Sequence, residues 1–277
     1  MSNDNAQHLN TIKTIHEKRL AILERQAATY GRTAVPPHIE IEIEELKAKI
    51  EEIDAQLGGG QSSAQEPSRK PINGQGSKVK ILFLTANPSD TTQLRLGEEI
   101  RAIDDALRKA DFREQFDLIQ HHAVRVSDLS GLLLRHKPGI VHFSGHGSQD
   151  NEIILEDNNG NSFTVSQRAL SGLFKTLRDN ICCVVLNACY SQPQAEAIAE
   201  HIDCVIGMSD TILDTASISF ATAFYQGLGY GRTIREAFDL GQTQIDLEHD
   251  DLIESEKPQL IVKQGSNPDT LYLVREN

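Results

Sequence analysis

The sequence predicts an α/β fold in which helices cover both faces of a mostly parallel sheet, preceded by an N-terminal α-helical hairpin. From residue 79 onward, short apolar runs typical of strands alternate with segments of helical periodicity. The runs are apolar throughout rather than at every second position, which indicates strands buried on both faces. An Asp-Asn-Asn-Gly sequence at 157–160 adds a tight turn, and therefore a small hairpin, between two of the larger elements.

The predicted elements follow one another in a regular order. Strands are expected over 79–86 and 116–124, in the apolar runs that begin at 140 and 181, over 204–209 and 258–263, and more weakly over 271–274. Helices are expected over 94–110, 127–136, 166–177, 194–201, 216–227 and 233–247.

The sequence of residues 1–57 has a different hydrophobic pattern from that of the α/β region and predicts two helices joined by a short turn. The second helix opens at Pro36-Pro37, since proline suits a first helical turn. Its apolar residues recur at spacings of three and four and form a heptad seam: Ile39, Ile43, Leu46, Ile50, Ile53 and Leu57. A hairpin this short buries little surface, so we expect the seam to bind another copy or another protein. Packing on the α/β region of its own chain is the alternative.

Residues 58–78 separate this hairpin from the α/β region, which spans 79–277. Gly, Ser, Gln and Pro dominate the segment, so it is expected to act as a flexible tether. It contains a basic pair, Arg69-Lys70.

Composition excludes several classes of function. The chain of 277 residues carries a formal net charge of -13, which disfavours direct binding to nucleic acid. Its four cysteines form no CxxC pair, and a reducing cytoplasm is the expected location. The N-terminus has no signal-peptide pattern, and no apolar run approaches the ~20 residues of a membrane span.

The sequence indicates no cofactor and no metal. The glycines at 227, 229 and 231 lack the preceding strand that dinucleotide binding requires, and His121-His122 lacks ligand spacing to other candidates. The acidic stretch 246–256 is typical of a solvated loop. Calcium binding, or occlusion of the cleft before activation, is the alternative for that stretch.

Two apolar runs carry the candidate chemistry at their ends. The first delivers His146, between two glycines, and the second delivers Cys189. Parallel sheets place their chemistry at the C-terminal ends of strands, where a Cys and a His together make a nucleophile and its base. The helix expected after Cys189 would stabilise a thiolate. From the residues alone, a nucleophile and a small core cysteine remain equally open for this position.

Neighbouring residues of the same types are assigned to the core. Cys182 and Cys183 lie at the start of their strand, and free cysteine is among the most buried residue types. His142 lies within the body of its strand and is expected to be a satisfied core histidine. The backbone N–H groups of Gly147 and Cys189 are candidates for an oxyanion hole beside the reacting carbonyl.

The segments His142-Phe-Ser-Gly-His146-Gly147 and Leu186-Asn-Ala-Cys189 resemble the paired motifs of caspase-fold peptidases of the CHAT branch. The resemblance covers roughly 79–277 and includes Ala86-Asn-Pro-Ser89, Leu94-Arg-Leu96 and 231–238. It implies a caspase-like sheet and a cysteine endopeptidase in which Cys189 attacks the scissile carbonyl and His146 moves the proton. It also implies a protein substrate.

The resemblance leaves the substrate preference open. Many caspase-fold enzymes outside the animal caspases cleave after basic residues, which requires an acidic S1 pocket. Such a pocket would also suit self-cleavage at Arg69-Lys70 in the tether. Asp210 and Asp214 are the best-placed acids, whereas Arg95 would favour an acidic contact instead. Each of the three is equally compatible with a solvated loop charge.

The N-terminal hairpin resembles, more weakly, helical segments that precede bacterial signalling and immunity effectors. That likeness implies recruitment by an activating partner, in bacterial defence or stress signalling. The rival interpretation is a catalytically silent caspase-like scaffold that assembles complexes. A flavodoxin-like ligand-binding domain is disfavoured because Thr85-Ala-Asn-Pro88 is too poor in glycine for a phosphate-binding turn.

Overall fold

A computed structural model of the chain describes residues 78–249 and 252–275, together with Leu20, Ile43, Lys47, Lys49 and Ile50. The chain divides into two compact units, Met1–Ser68 and Arg69–Asn277. The five described residues of the first unit are helical, and the two lysines are exposed while the three apolar residues are half-buried. The other residues of the predicted hairpin, and the tether up to residue 77 with Arg69-Lys70, lie outside the described residues.

The second unit is built on a six-stranded sheet in the order β2-β1-β3-β6-β7-β8. All neighbours pair in parallel except β7 and β8, which are antiparallel. The six strands are β1 (Val79–Thr85), β2 (Phe116–His121), β3 (Ile140–Ser144), β6 (Cys183–Asn187), β7 (Cys204–Met208) and β8 (Pro258–Val262). A separate antiparallel hairpin consists of β4 (Ile153–Glu156) and β5 (Ser162–Val165).

Seven α-helices connect the described strands. They are α1 (Leu96–Lys109), α2 (Leu129–His136), α3 (Gln167–Thr176), α4 (Gln192–Ala199), α5 (Asp214–Gly229), α6 (Ile234–Glu248) and α7 (Leu252–Glu256). None of the helices in the described ranges is long and apolar enough to cross a membrane.

Two hydrophobic cores show that both faces of the sheet are covered. Alternate residues of β1 enter opposite cores: Ile81 and Phe83 pack with α1, α5 and α6, whereas Leu82 and Leu84 pack with α2, α3 and α4. The central strands β3 and β6 are buried along their whole length. This confirms the mostly parallel α/β sheet that the continuous apolar runs predict.

The predicted tight turn joins β4 to β5. Gly160 adopts φ +78, a left-handed conformation that glycine tolerates best. The carboxylate of Asp157 accepts hydrogen bonds from the N–H groups of Asn159 (2.7 Å) and Asn161 (2.9 Å). These bonds, chiefly the one from Asn161, lower the pKa of Asp157 because they stabilise its charged form.

The predicted strand over 271–274 is wrong. The segment is irregular, and its side chains pack on the helices instead of joining a ladder: Leu273 and Val274 are buried in the core formed with α1, α5 and α6. The carbonyl of Leu271 accepts a hydrogen bond from the N–H of Ile234 at the start of α6. The apolar residues of this segment cover helices, and in the sequence they give the same pattern as a short strand.

Candidate active site

The ends of β3 and β6 bring the two candidate residues to neighbouring positions. In the parallel pairing of these strands, Ser144 lies opposite Asn187. His146 follows two residues after Ser144, and Cys189 follows two residues after Asn187. The sheet therefore delivers the predicted base and nucleophile to the same edge, from adjacent strands.

Gly147 makes the closest contact between the two segments. A Cβ atom built on this glycine would lie 1.8 Å from the carbonyl oxygen of Cys189 and 3.2 Å from its backbone nitrogen. No side chain fits in that space, so the backbones of the two motifs touch only because residue 147 is glycine. The glycine after the histidine is thus explained by close backbone approach.

The imidazole of His146 is held by a main-chain carbonyl. Its Nε2 lies 2.6 Å from the carbonyl oxygen of Thr92, in the loop between β1 and α1. A carbonyl only accepts, so Nε2 carries the proton in this contact, and Nδ1 is the nitrogen left to take a proton from a thiol. The sequence did not indicate Thr92, because a backbone acceptor can belong to any residue type.

Cys189 differs from the other three cysteines in its exposure. Cys189 is half-buried, whereas Cys182, Cys183 and Cys204 are fully buried. Burial is the main cause that raises the pKa of Cys204 to about 12, and it raises the pKa of Cys182 and Cys183 strongly as well. These three thiols are therefore core residues, as expected for Cys182 and Cys183.

The turn after Cys189 is held in an uncommon conformation. Tyr190 has φ +56, a left-handed conformation that is costly for a side chain of this size. Its backbone N–H donates to the carbonyl of Asp210 (3.4 Å), and its hydroxyl accepts from the Thr211 hydroxyl (2.7 Å). The loop after β7 thus fixes this residue and, with it, the direction in which Cys189 leaves β6.

A buried serine anchors the same turn. The hydroxyl of Ser191 donates to the carbonyl of Leu186 (2.9 Å) and accepts from the N–H of Met208 (2.9 Å). It therefore ties the turn to both β6 and β7. Helix α4 begins directly afterwards, at Gln192, so Cys189 precedes a helix as predicted, at a distance of three residues.

Helix α4 also anchors the segment that follows His146. The buried side chain of Gln194 accepts from the N–H of Ile153 (3.0 Å) and donates to the carbonyl of Val165 (2.6 Å). The N–H of Ile154 donates to the carbonyl of His146 (2.9 Å). The β4–β5 hairpin is therefore hydrogen-bonded both to helix α4, which follows Cys189, and to the backbone of His146.

The predicted oxyanion donors are available in the described part of the chain. The hydrogen bonds formed there include none from the backbone N–H of Gly147 or Cys189. Gly147 pairs with Ile153 in an antiparallel bridge, but the hydrogen bonds of that bridge are made by its neighbours: His146 accepts from Ile154, and Ser148 donates to Glu152. Two backbone N–H groups, one of them that of Cys189 itself, thus have no acceptor among the described residues.

The predicted specificity residues fall into two groups. Arg95 donates from Nε to Asp214 (2.9 Å), and its backbone N–H lies 3.3 Å from the same oxygen. The two residues therefore neutralise each other instead of presenting opposite charges to a substrate. Asp210 is exposed and, among the described residues, has no cationic partner; its carboxylate accepts from the N–H of Thr211 (2.6 Å).

His142 is a satisfied core histidine, as expected. It is fully buried, stacks on Phe83 with ring centroids 4.4 Å apart, and has a partner on each ring nitrogen. Nδ1 lies 3.1 Å from the Tyr225 hydroxyl, and Nε2 lies 3.1 Å from the Glu99 carboxylate.

The acidic stretch is mostly helical rather than a solvated loop. The carboxylate of Glu254 is buried, accepts from the N–H of Leu213 (2.9 Å), and pairs with Lys257.

Across residues 78–249 and 252–275, no group of three or more His, Cys, Asp or Glu side chains is arranged to hold a metal ion.

Comparison with known proteins identifies the family. The profile of the CHAT domain matches residues 55–260, and the chain belongs to the CHAT domain family. A protein named Roc-COR-CHAT protease, from an unknown prokaryotic organism, is 27% identical over 190 residues, which cover 66% of this chain and 18% of that protein. A probable protease from Gillisia limnaea is 26% identical over 153 residues, covering 54% of this chain and 27% of that protein.

The chain therefore spans less than a third of the length of these curated relatives. Among solved structures, caspase-1 from Spodoptera frugiperda superposes with a TM-score of 0.47 at 10% identity, covering 76% of this chain and 98% of the caspase.

Proposed function

We propose that the α/β unit is a cysteine endopeptidase in which Cys189 is the nucleophile and His146 is the general base. One observation carries this proposal. The half-buried thiol and the imidazole follow adjacent parallel strands, at a point where the Gly147 and Cys189 backbones are in contact. The names of the two relatives, one a protease and the other a probable protease, support the same activity.

The proposed reaction has two stages, acylation of Cys189 and hydrolysis of the thioester, and both the thiol and the imidazole act in each stage. The Cys189 thiol gives its proton to Nδ1 of His146, and Sγ forms a bond with the scissile carbonyl carbon. The carbonyl π electrons move to oxygen and return as the C–N bond breaks. His146 then gives the proton to the leaving amine, and a thioester remains. Water then gives a proton to His146 as its oxygen bonds to the thioester carbon. The C–S bond breaks, the acid product leaves, and His146 returns the proton to Sγ.

The surrounding backbone groups favour this sequence of steps. The carbonyl of Thr92 accepts from Nε2 of His146, so it stabilises the imidazolium formed when the proton arrives. The unpaired N–H groups of Gly147 and Cys189 would donate to the oxyanion of the tetrahedral intermediate. Neither contribution requires a cofactor or a metal.

For the substrate, we propose a protein cut after a basic residue, with Asp210 as the acid of the S1 pocket. Asp210 lies in the loop whose carbonyl holds Tyr190, the residue after the nucleophile. Its charge is not neutralised within the described residues, unlike that of Asp214, which pairs with Arg95. An exposed carboxylate beside the nucleophile is suited to pair with a lysine or arginine side chain.

For regulation, we propose that the N-terminal segment recruits an activating protein, in prokaryotic defence or stress signalling. The heptad seam that the sequence predicts over 39–57 would give that segment an apolar face for a partner helix. The greater length of both relatives supports a CHAT unit that works beside other protein modules.

An irreversible, thiol-directed peptide probe with a basic P1 residue tests the activity. We expect labelling of the wild type in the presence of its activating partner, and none with Cys189→Ala. His146→Ala is expected to retain the thiol but lose most of the labelling. Co-expression with neighbouring gene products, comparing the wild type with Cys189→Ala, would show a fragment whose new terminus gives the P1 residue. A Cys189 that stays unlabelled under every activating condition would establish the scaffold interpretation instead.

A further inference from the structure

A buried carboxylate, Glu99, joins both strands that carry the proposed catalytic pair. It lies in the first turn of α1 and is 2% exposed. One oxygen accepts from Nε2 of His142 (3.1 Å) and from Nδ2 of Asn187 (2.7 Å). The other accepts from the hydroxyl of Ser144. Three donors from β3 and β6 therefore converge on a single side chain.

The positions of these donors relate directly to the proposed pair. Ser144 and Asn187 are register partners across β3 and β6, and each stands two residues before His146 or Cys189. Side chains two residues apart on a strand share a face. Glu99 thus bonds to both members of the last opposed pair in the ladder, Ser144 and Asn187, two residues before the proposed catalytic side chains.

Core stability does not account for this arrangement. A carboxylate loses hydration on burial, and an apolar side chain at position 99 would continue the buried stripe of α1 without that loss. In addition, the Oδ1 of Asn187 is buried without a donor among the described residues, so the amide is oriented by Glu99 alone. The chain retains a costly polar cluster at the base of the site.

The other ring nitrogen of His142 also has a buried partner. The hydroxyl of Tyr225, on α5, contacts Nδ1 of His142, and Tyr225 is fully buried. Burial raises the pKa of Tyr225, so its hydroxyl stays protonated beside Nδ1. A carboxylate only accepts, so a proton on Nε2 of His142 is directed at Glu99. The ring of His142 is therefore held from two sides, by Glu99 on α1 and by Tyr225 on α5.

We propose that Glu99 is a positioning residue that sets the separation of Cys189 and His146 by holding Asn187 and Ser144 together. This inference rests on the proposed function of the pair. Glu99 contacts neither the thiol nor the imidazole of the pair, and it acts through the two strand ends. A displacement of a strand end by about 1 Å is enough to cost about 100-fold in rate when proton transfer depends on the contact.

The rate of Cys189 alkylation by iodoacetamide, measured on the full chain between pH 5.5 and 9, tests this role without a substrate. A thiol reacts as thiolate, so an imidazole that takes its proton keeps the rate high on the acidic side. We expect the wild type to react at pH 6.5 and His146→Ala to react only at higher pH. In Glu99→Ala, the rate at pH 6.5 should fall about tenfold or more, towards the His146→Ala profile.

Conservative variants and a matched control separate positioning from folding. Glu99→Gln keeps an oxygen that accepts two of the three hydrogen bonds, so it should restore most of the rate. Ser144→Ala removes one contact and should shift the profile in the same direction, which keeps the test decisive if Glu99→Ala does not fold. Asp105→Asn removes an exposed carboxylate from the same helix and should leave the profile unchanged.

The outcomes are distinguishable. If folded Glu99→Ala and Ser144→Ala keep the wild-type profile and lose only melting temperature, Glu99 is structural and the proposal is overturned, while the proposed activity stands. If the wild type already follows the His146→Ala profile, the proposed pair itself fails and the positioning role falls with it.

Discussion

His146 donates a hydrogen bond from Nε2 to the carbonyl of Thr92 over 2.6 Å. The acceptor belongs to the loop between β1 and α1, which the hairpin also holds: the Asp90 carboxylate accepts from both the N–H (2.9 Å) and the hydroxyl (2.8 Å) of Ser162. The bond from the Ser162 hydroxyl is the largest cause that lowers the pKa of Asp90. The imidazole is therefore oriented before any substrate arrives, which limits the reorganisation that proton transfer requires.

Selective alkylation is the first expected outcome. Treatment of the native chain with iodoacetamide at pH 7.5 should add one adduct, on Cys189, and treatment in denaturant should add four. The buried thiols resist because burial excludes the reagent and raises the pKa of Cys182, Cys183 and Cys204. Intact mass and peptide mapping provide the measurement. Rapid labelling of Cys204 in native protein would contradict the described core.

Gly147→Ala should abolish peptidase activity. The new methyl group would meet the carbonyl of Cys189 at 1.8 Å, so the two backbones must separate. We expect a loss of at least about 100-fold in probe labelling, because proximity of the pair is lost. Gly172→Ala, within α3, is the matched control: its Cβ meets nothing within 4 Å. That variant should keep activity and gain about 0.5–1 kcal/mol in unfolding free energy.

Asp210→Asn should reduce cleavage of peptides with lysine or arginine at P1, while leaving alkylation of Cys189 by a small reagent unchanged. The reason is the loss of an exposed carboxylate that has no cationic partner among the described residues and lies beside the turn after Cys189. Asp214→Asn is the control with the same chemical change. It breaks a partly exposed ion pair with Arg95, so it should alter stability by less than about 1 kcal/mol and retain the P1 preference. Equal loss of preference in both variants would remove Asp210 from the S1 pocket.

Ser191→Ala should destabilise the domain and slow Cys189 chemistry together. It leaves the N–H of Met208 buried without its acceptor, which costs about 1–3 kcal/mol. The turn that begins at Cys189 also loses its bond to β7. Urea unfolding and iodoacetamide kinetics measure the two effects. Ser191→Thr, which keeps the hydroxyl, should recover part of both, and a fully stable Ser191→Ala would show that the bond to Met208 is dispensable.

The fold should lose stability as the pH falls below about 6.5. His136 lies with Nε2 3.1 Å from Nε2 of His121. Burial, followed by the charges of His121, Arg135 and Lys80, lowers the pKa of His136 in the folded chain, against a smaller opposing effect of Asp117. The unfolded chain therefore takes the proton first as acid is added, and the loss levels off below the folded pKa.

The comparison of urea midpoints at pH 7.5 and 5.5 measures this effect. His136→Gln should show a smaller drop in midpoint than the wild type, because one protonation difference has been removed. His122→Gln, one residue from His121, is the control and should retain the wild-type drop. An unchanged drop in His136→Gln would assign the acid sensitivity to other groups.

The sheet and the location of the pair were predictable from local patterns. Continuous apolar runs identify buried parallel strands, and such strands present their C-terminal residues at one edge. The placement of His146 and Cys189 at the same edge of the sheet followed from that rule, whereas the direct pairing of β3 with β6 is a finding of the structure. The distinction between His142 and His146 also followed, since one lies inside its run and the other after it.

The contacts that complete the site were not predictable, because they join residues far apart in sequence. Arg95 and Asp214 were assigned opposite effects on specificity, whereas their pairing across 119 positions cancels both charges. Thr92 contributes a carbonyl, which no residue type signals. Glu99 did carry a signal: it occupies the apolar stripe of α1, between Leu96 and Ile103, where a carboxylate requires a buried partner.

The anchor at Ser191 has a consequence for protein synthesis. Its acceptor role requires the N–H of Met208, which lies on a strand that leaves the ribosome later than both His146 and Cys189. A growing chain therefore exposes its reactive side chains before the turn after Cys189 can be fixed. We expect translation intermediates that end before β7 to be inert, so the order of the strands along the chain delays proteolysis until the nascent domain is nearly complete.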